Sequence, residues 1–127
     1  AMAPPPAPVP EPVPQGLAKP AMIVDQPVRA GTRIWAQGCD LIVIGTVNPG
    51  AEVIADGNIH VYGRLLGRAI AGGQSEMGAR VFATHFDPEL VSIAGYYAVR
   101  DGLGTAQIGK AVMASLVGEQ MRFDPLG

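Results

Sequence analysis

Glycine interrupts the segment ADGNIHVYGRLLGRAIAG, Ala55 to Gly72, at Gly57, Gly63, Gly67 and Gly72, with apolar residues between. Seventeen glycines among 127 residues, beside plentiful valine and isoleucine, favour short strands joined by tight turns over helices. A chain that turns a corner every few residues needs a residue tolerant of positive φ at each corner. Glycine meets that need at little steric cost. The segment therefore reads as strand end, Asp-Gly-Asn corner, strand, and a second corner at Gly63.

Repeated pentapeptides support this reading. TRIWA (Thr32–Ala36), AEVIA (Ala51–Ala55) and ARVFA (Ala79–Ala83) each run small, charged, β-branched, bulky apolar, alanine, and each follows a glycine: Gly31, Gly50 and Gly78. A second triplet follows: LIVIG (Leu41–Gly45), IHVYG (Ile59–Gly63) and VSIAG (Val91–Gly95). The first two copies are offset by 18 or 19 residues, and longer loops delay the third. The predicted fold is all-β: a short right-handed β-helix, a triangular solenoid in which each coil buries its inner side chains against the next.

Strand alternation divides inside from outside. In the first triplet Arg33, Glu52 and Arg80 belong in water, so Ile34, Val53 and Val81 point inward with Ala36, Ala55 and Ala83. Glu52 then lies between arginines on neighbouring coils. Trp35, Ile54 and Phe82 form an outward apolar ladder, and such a ladder marks an interface. The expectation is a homodimer contact through Trp35, Ile54 and Phe82, unless the terminal segment KAVMASLVGEQMRF folds over them. Ile44, Tyr62 and Ala94 form a second, weaker outward set.

Residues 1–21 are different in kind. Eight of the twelve prolines fall within the first 20 residues, and proline removes backbone donors and fixes φ. This stretch is expected to be a disordered, extended interdomain linker rather than a docking peptide. Its leading Ala-Met reads as a cloning scar, and an N-terminal domain is expected beyond it. The β-helix domain spans residues 22–127. A net charge of −2 gives no reason to expect a nucleic-acid partner. No apolar run approaches the roughly 20 residues of a membrane span. The lone Cys39 forms no internal disulfide and fits a reducing compartment.

Catalytic and cofactor patterns are weak. GTAQIGK (Gly104–Lys110) lacks the spacing and terminal hydroxyl of a phosphate loop. His60, His85 and Cys39 lack zinc-ligand spacing. His60 reads as a surface histidine rather than an acyltransferase-like base. Neither catalysis, metal nor cofactor is expected. What remains is polar corners. PVRAGT (Pro27–Thr32) and NPGAE (Asn48–Glu52) should be equivalent corners on adjacent coils, bringing Arg29 near Asn48. Arg29 on a rigid glycine corner can anchor a carboxylate, or be merely solvated. Arg68, in LLGRAIAG, is a second candidate.

Across Met22 to Leu126 the chain resembles the C-terminal domain of the bacterial septum-site protein MinC. The resemblance is carried by CDLIVIGTVNPGAEVIADGNIHVYGRLLGRAIAG, by ELVSIAGYY and by GKA. It implies a dimeric cell-division inhibitor module that binds ATP-bound, membrane-associated MinD and helps target the C-terminal tail of FtsZ. The implied location is cytoplasmic, recruited to the inner membrane through MinD without inserting into it. The family's MinD-binding motif R-S-G-Q falls on Arg29, Ala30, Gly31 and Thr32, where alanine and threonine replace serine and glutamine. Gly50 falls on a further MinD-linked position, and Arg68 on the arginine associated with the FtsZ tail. Asp56 and Asn58 match a D-G-N corner and are read as structural. The alternatives are a β-helical acyltransferase, whose strict hexapeptide spacing is not seen, and a self-polymerising bactofilin-like β-helix.

Overall fold

The computed structural model describes residues 19–103 and 107–127, so of the proline-rich stretch expected to be a linker only residues 19–21 are described, and the start of GTAQIGK also lies outside. The chain climbs a solenoid with two sheets and a narrow third side. The six-stranded sheet runs in the order β1 (Met22–Val24), β3 (Leu41–Val43), β5 (Ile59–Leu65), β7 (Val81–Phe86), β10 (Lys110–Val117) and β11 (Gln120–Pro125). The five-stranded sheet runs β2 (Arg33–Ala36), β4 (Glu52–Ala55), β6 (Arg68–Ala71), β8 (Leu90–Ile93) and β9 (Tyr96–Val99). The third side is made by single parallel bridges from Val28 to Val47 and from Val47 to Leu65. Among the described residues the only helical turn is a 3-10 turn, Arg100–Gly102.

The inner residues follow the predicted parity. Val53, Ala55, Val81, Ala83 and Ala36 are buried, while Ile34 is partly covered at the open first coil. Leu41, Val43, Ile59 and Val61 fill the core from the other sheet, and Val28, Val47 and Leu65 from the third side. Each fully buried valine or leucine contributes about 1.5–3 kcal/mol, so the stack coheres though no coil could stand alone.

Coil assignment differs from the sequence expectation after the second coil. β2 and β4 pair as predicted, with Arg33 opposite Glu52 and Trp35 opposite Ile54. The next partner of β4 is β6, which sets Glu52 opposite Arg68 and Ile54 opposite Ile70. ARVFA begins β7 in the other sheet, where Phe82 lies opposite His60. Phe82 therefore does not continue the Trp35–Ile54 ladder, and the arginine flanking Glu52 on its far side is Arg68 rather than Arg80. VSIAG likewise belongs to β8, beside β6. The cause is corner length. From Val47 to β4 the chain uses Asn48–Ala51, but from Leu65 to β6 it uses only Leu66 and Gly67.

Glycine also acts differently from the expectation. Gly63 lies within β5 rather than at a corner. Neither it nor Gly67 has positive φ. A side chain on Gly63 would overlap the Gly45 carbonyl, and a Cβ on Gly67 would stand 2.5 Å from the carbonyl oxygens of Asn48 and Ala51. These glycines let one coil lie against the backbone of the coil before it. Ala94 is a further correction: it is buried, not outward. With φ of 51° it forms, together with Gly95 at 90°, a two-residue type I′ turn between β8 and β9.

The C-terminal hairpin β10–β11 does not fold over the Trp35 ladder. It extends the six-stranded sheet antiparallel to β7, with Met113 opposite Phe82.

Candidate partner-binding surface

The corner between the third side and the five-stranded sheet is built twice in succession. Thr32 N–H donates to the Arg29 carbonyl at 3.0 Å, and Ala51 N–H to the Asn48 carbonyl at 3.0 Å. Gly31 and Gly50 occupy the third position of these turns, each with φ of 83°. This is type II geometry, which requires positive φ there and welcomes Pro49 at the second position. The turns stack in register. Gly31 N–H donates to the Gly50 carbonyl at 2.9 Å, and the Asn48 side-chain amide donates to the Val28 carbonyl at 3.0 Å. Position 30 packs on Gly50: a Cβ on Gly50 would come within 3.3 Å of the Ala30 methyl.

Arg29, Ala30, Gly31, Thr32 and Gly50 are all exposed on this corner. The sequence expectation that Arg29 and Asn48 occupy equivalent positions holds. Along the adjoining edge of the sheet, Arg33, Glu52, Arg68 and Leu90 form one outward row. Arg33 Nε pairs with Glu52 Oε1 at 2.9 Å, and Arg68 Nε lies 3.9 Å from Glu89 Oε1. Gly31, Thr32, Arg33, Gly50, Glu52 and Arg68 line one open depression of about 360 Å³. The two groups of residues that the sequence assigned to different partners thus adjoin. Arg68 is exposed, and Ile70, two residues on, shares its face half-buried.

Glu89 was not visible from the sequence as a site residue. Its Oε1 accepts the Gly50 N–H at 3.2 Å while approaching Arg68, so it links the corner to the arginine row. Finding it requires the register of β8 on β6, which the repeat pattern misassigned.

A second outward row crosses the six-stranded sheet: Ile23, Ile42, His60, Phe82 and Met113, ending at Asp124 on β11. The His60 and Phe82 rings stack at 4.6 Å with 8° between planes, and Tyr62 lies 6.2 Å from His60. Ile44 and Tyr62, beside this row, are half exposed. His60 is thus an element of an apolar strip. Cys39 is buried in the core. Among the described residues no group of three His, Cys, Asp or Glu side chains is arranged to hold a metal.

The remaining corner is structural, as expected of Asp56 and Asn58. Asp56 accepts from Gly38 N–H at 2.6 Å and from the Trp35 indole at 3.3 Å. Asp40 Oδ1 accepts from Asn58 N–H, and Asn58 Oδ1 from Arg80 N–H, each at 2.8 Å. These side chains satisfy backbone donors that the parallel ladder leaves free where it breaks at a corner.

Residues 22–126 match the model of the family described as septum formation inhibitor MinC, C-terminal domain. Among curated relatives, the probable septum site-determining protein MinC of Photorhabdus laumondii is 49% identical over 108 residues, covering 85% of this chain and 48% of that protein. The MinC of Chromobacterium violaceum is 50% identical over 109 residues, covering 85% and 45% respectively. The chain thus spans about half the length of the curated relatives it matches. Among solved structures, a chain of the MinC:MinD cell division protein complex of Aquifex aeolicus superposes with a TM-score of 0.75 at 35% identity, covering 84% of this chain and 86% of that one.

Proposed function

The chain belongs to the family of septum formation inhibitor MinC C-terminal domains, and from that premise we propose that it is the partner-binding module of a cell-division inhibitor. It docks on MinD, held on the membrane in its ATP state, through Arg29, Ala30, Gly31, Thr32 and Gly50. It also receives the C-terminal tail of FtsZ at Arg68, and so directs inhibition of FtsZ ring assembly away from midcell. The observation that carries this reading is the stacked pair of glycine turns opening onto a depression shared with Arg68. A rigid corner with exposed arginines favours a protein carboxylate over a small-molecule reaction. MinD is also the partner named for the similar Aquifex complex.

The module is assigned no catalysis, and family membership leaves the acyltransferase and bactofilin-like readings unfavoured. No helix among the described residues is long and apolar enough to cross a membrane. The module is assigned to the cytoplasm and to the inner membrane through MinD, by its family and by the partner named for the Aquifex complex. Self-association is assigned to the uncharged strip at Ile42, His60 and Phe82, because such a strip can meet its own copy about a two-fold axis without opposing like charges. Trp35 and Ile54, separated from Phe82, belong to the partner face.

Co-sedimentation tests the central assignment. With MinD, ATP and lipid vesicles the domain should pellet, and with ADP it should stay in solution. A domain left in the supernatant under ATP overturns the reading.

A further inference from the structure

Glu89 occupies the place where an anionic partner group would be held. Its backbone N–H donates to the Gly67 carbonyl at 2.8 Å, which sets it at the mouth of β8, one residue before the partner of Arg68. From there the side chain reaches back past the third coil to the second-coil turn, where Oε1 accepts the Gly50 N–H at 3.2 Å. Gly67 lies on the intervening coil and contributes no side chain. The same oxygen is 3.9 Å from Arg68 Nε. A backbone N–H and a guanidinium converging on one carboxylate oxygen make an anion position, and here the chain fills it with its own residue.

We propose that Glu89 is an internal competitor for acidic peptide at the Arg68 site, setting how much negative charge a partner must bring. The inference rests on the reading of Arg68 as a peptide-binding residue. The pair is weak by geometry: Glu89 and Arg68 side chains are 36% and 57% exposed, and exposed pairs are worth at most about fivefold in an equilibrium constant. A weak internal pair is displaceable, whereas a bidentate one would close the site. An incoming carboxylate takes over the contact with Arg68, and Glu89 turns out to water. A partner segment without negative charge gains nothing from the exchange and leaves the internal pair in place.

The test uses anisotropy of a labelled peptide copy of the FtsZ C-terminal tail with the folded domain. Glu89→Gln keeps an oxygen able to accept from Gly50 N–H and removes the charge. It should raise affinity about two- to fivefold, with an unchanged melting temperature, and the gain should vanish in an Arg68→Ala background. It should also shrink towards none near 1 M salt, where exposed charges are screened within about 3 Å. A residue that merely supported the corner would lower affinity when changed. Unchanged or weaker binding by folded Glu89→Gln, beside an Arg68→Ala that does bind more weakly, overturns this inference alone. Arg68→Ala with wild-type affinity overturns the site itself, and the inference with it.

Discussion

The two sheets share one core and present different outsides. Inward they contribute interchangeable residues: Val53 and Ala55 from one, Val81 and Ala83 from the other, all buried. Outward, the five-stranded sheet carries Arg33, Glu52 and Arg68 in one row and Trp35, Ile54 and Ile70 in the next. In the six-stranded sheet the row Ile23, Ile42, His60, Phe82 and Met113 holds no Asp, Glu, Lys or Arg, and reaches a carboxylate only at its far end, Asp124 on β11. A charged row beside an apolar row asks for a partner with a complementary pattern. An uncharged stacked strip can meet a copy of itself. In a solenoid the interior is generic by necessity, so the assignment of partners rests on the outward half of each strand.

The two faces differ most at Phe82. Phe82→Glu puts a carboxylate into the middle of the strip. A buried, unpaired charge costs several kcal/mol, so self-association should weaken by at least about a hundredfold, and light scattering should report a monomer. Trp35→Glu, on the other sheet, should leave the dimer intact. A dimeric Phe82→Glu beside a monomeric Trp35→Glu would reverse the roles of the two faces.

Arg29→Ala should act on the other face alone. Loss of one charge-assisted contact costs about 1.5–3 kcal/mol, or roughly ten- to 150-fold in MinD affinity, with the dimer and the melting temperature unchanged. Unaltered co-sedimentation with MinD and ATP would remove Arg29 from the interface.

The interchangeable interior also explains what could be read from the sequence. The first two coils were legible because equal corners space them by 19 residues in one sheet, Arg33 to Glu52, and by 18 in the other, Leu41 to Ile59. Inward parity was legible in the strands that carry charged residues, since a charged residue at the wrong parity would be buried; it failed at Ala94, where the β8–β9 turn rather than strand alternation sets the direction. The third coil was not. Both sheets line the same narrow core, so an inward small or β-branched residue followed two places on by alanine, the pattern of β2, β4 and β6, is also accepted in β7. ARVFA and RAIA satisfy that demand equally. Only corner length distinguishes them, and the corner after Leu65 is shortened around Gly67. The misplacement carried Phe82 to the wrong face and hid Glu89. The role of Gly63 and Gly67 was obscured for a related reason: close approach of two backbones depends on register, whereas positive φ is a local property. At the Arg29–Thr32 and Asn48–Ala51 turns the signal was local, and the equivalence of the two corners was correct.

The smallest expected effect, and the sharpest division within one face, lies at Arg68. It shares a depression with Gly31, Thr32 and Gly50, yet two strand spacings separate its row position from that of Arg33, about 10 Å. A partner anchored at Arg29 on the first coil therefore need not touch it. Its ion pair with Glu89 is exposed and worth about 0–1 kcal/mol, so Arg68→Ala should barely change the melting temperature. Binding of the FtsZ tail peptide should fall about five- to tenfold, the scale of one partly screened charge-assisted contact. MinD co-sedimentation should remain within about twofold of wild type, a change of about 0.4 kcal/mol by the free-energy scale of binding. Parallel loss of peptide and MinD binding in a folded variant would mean that the corner and the arginine row form one site. Loss of both with a lowered melting temperature would make Arg68 a structural residue.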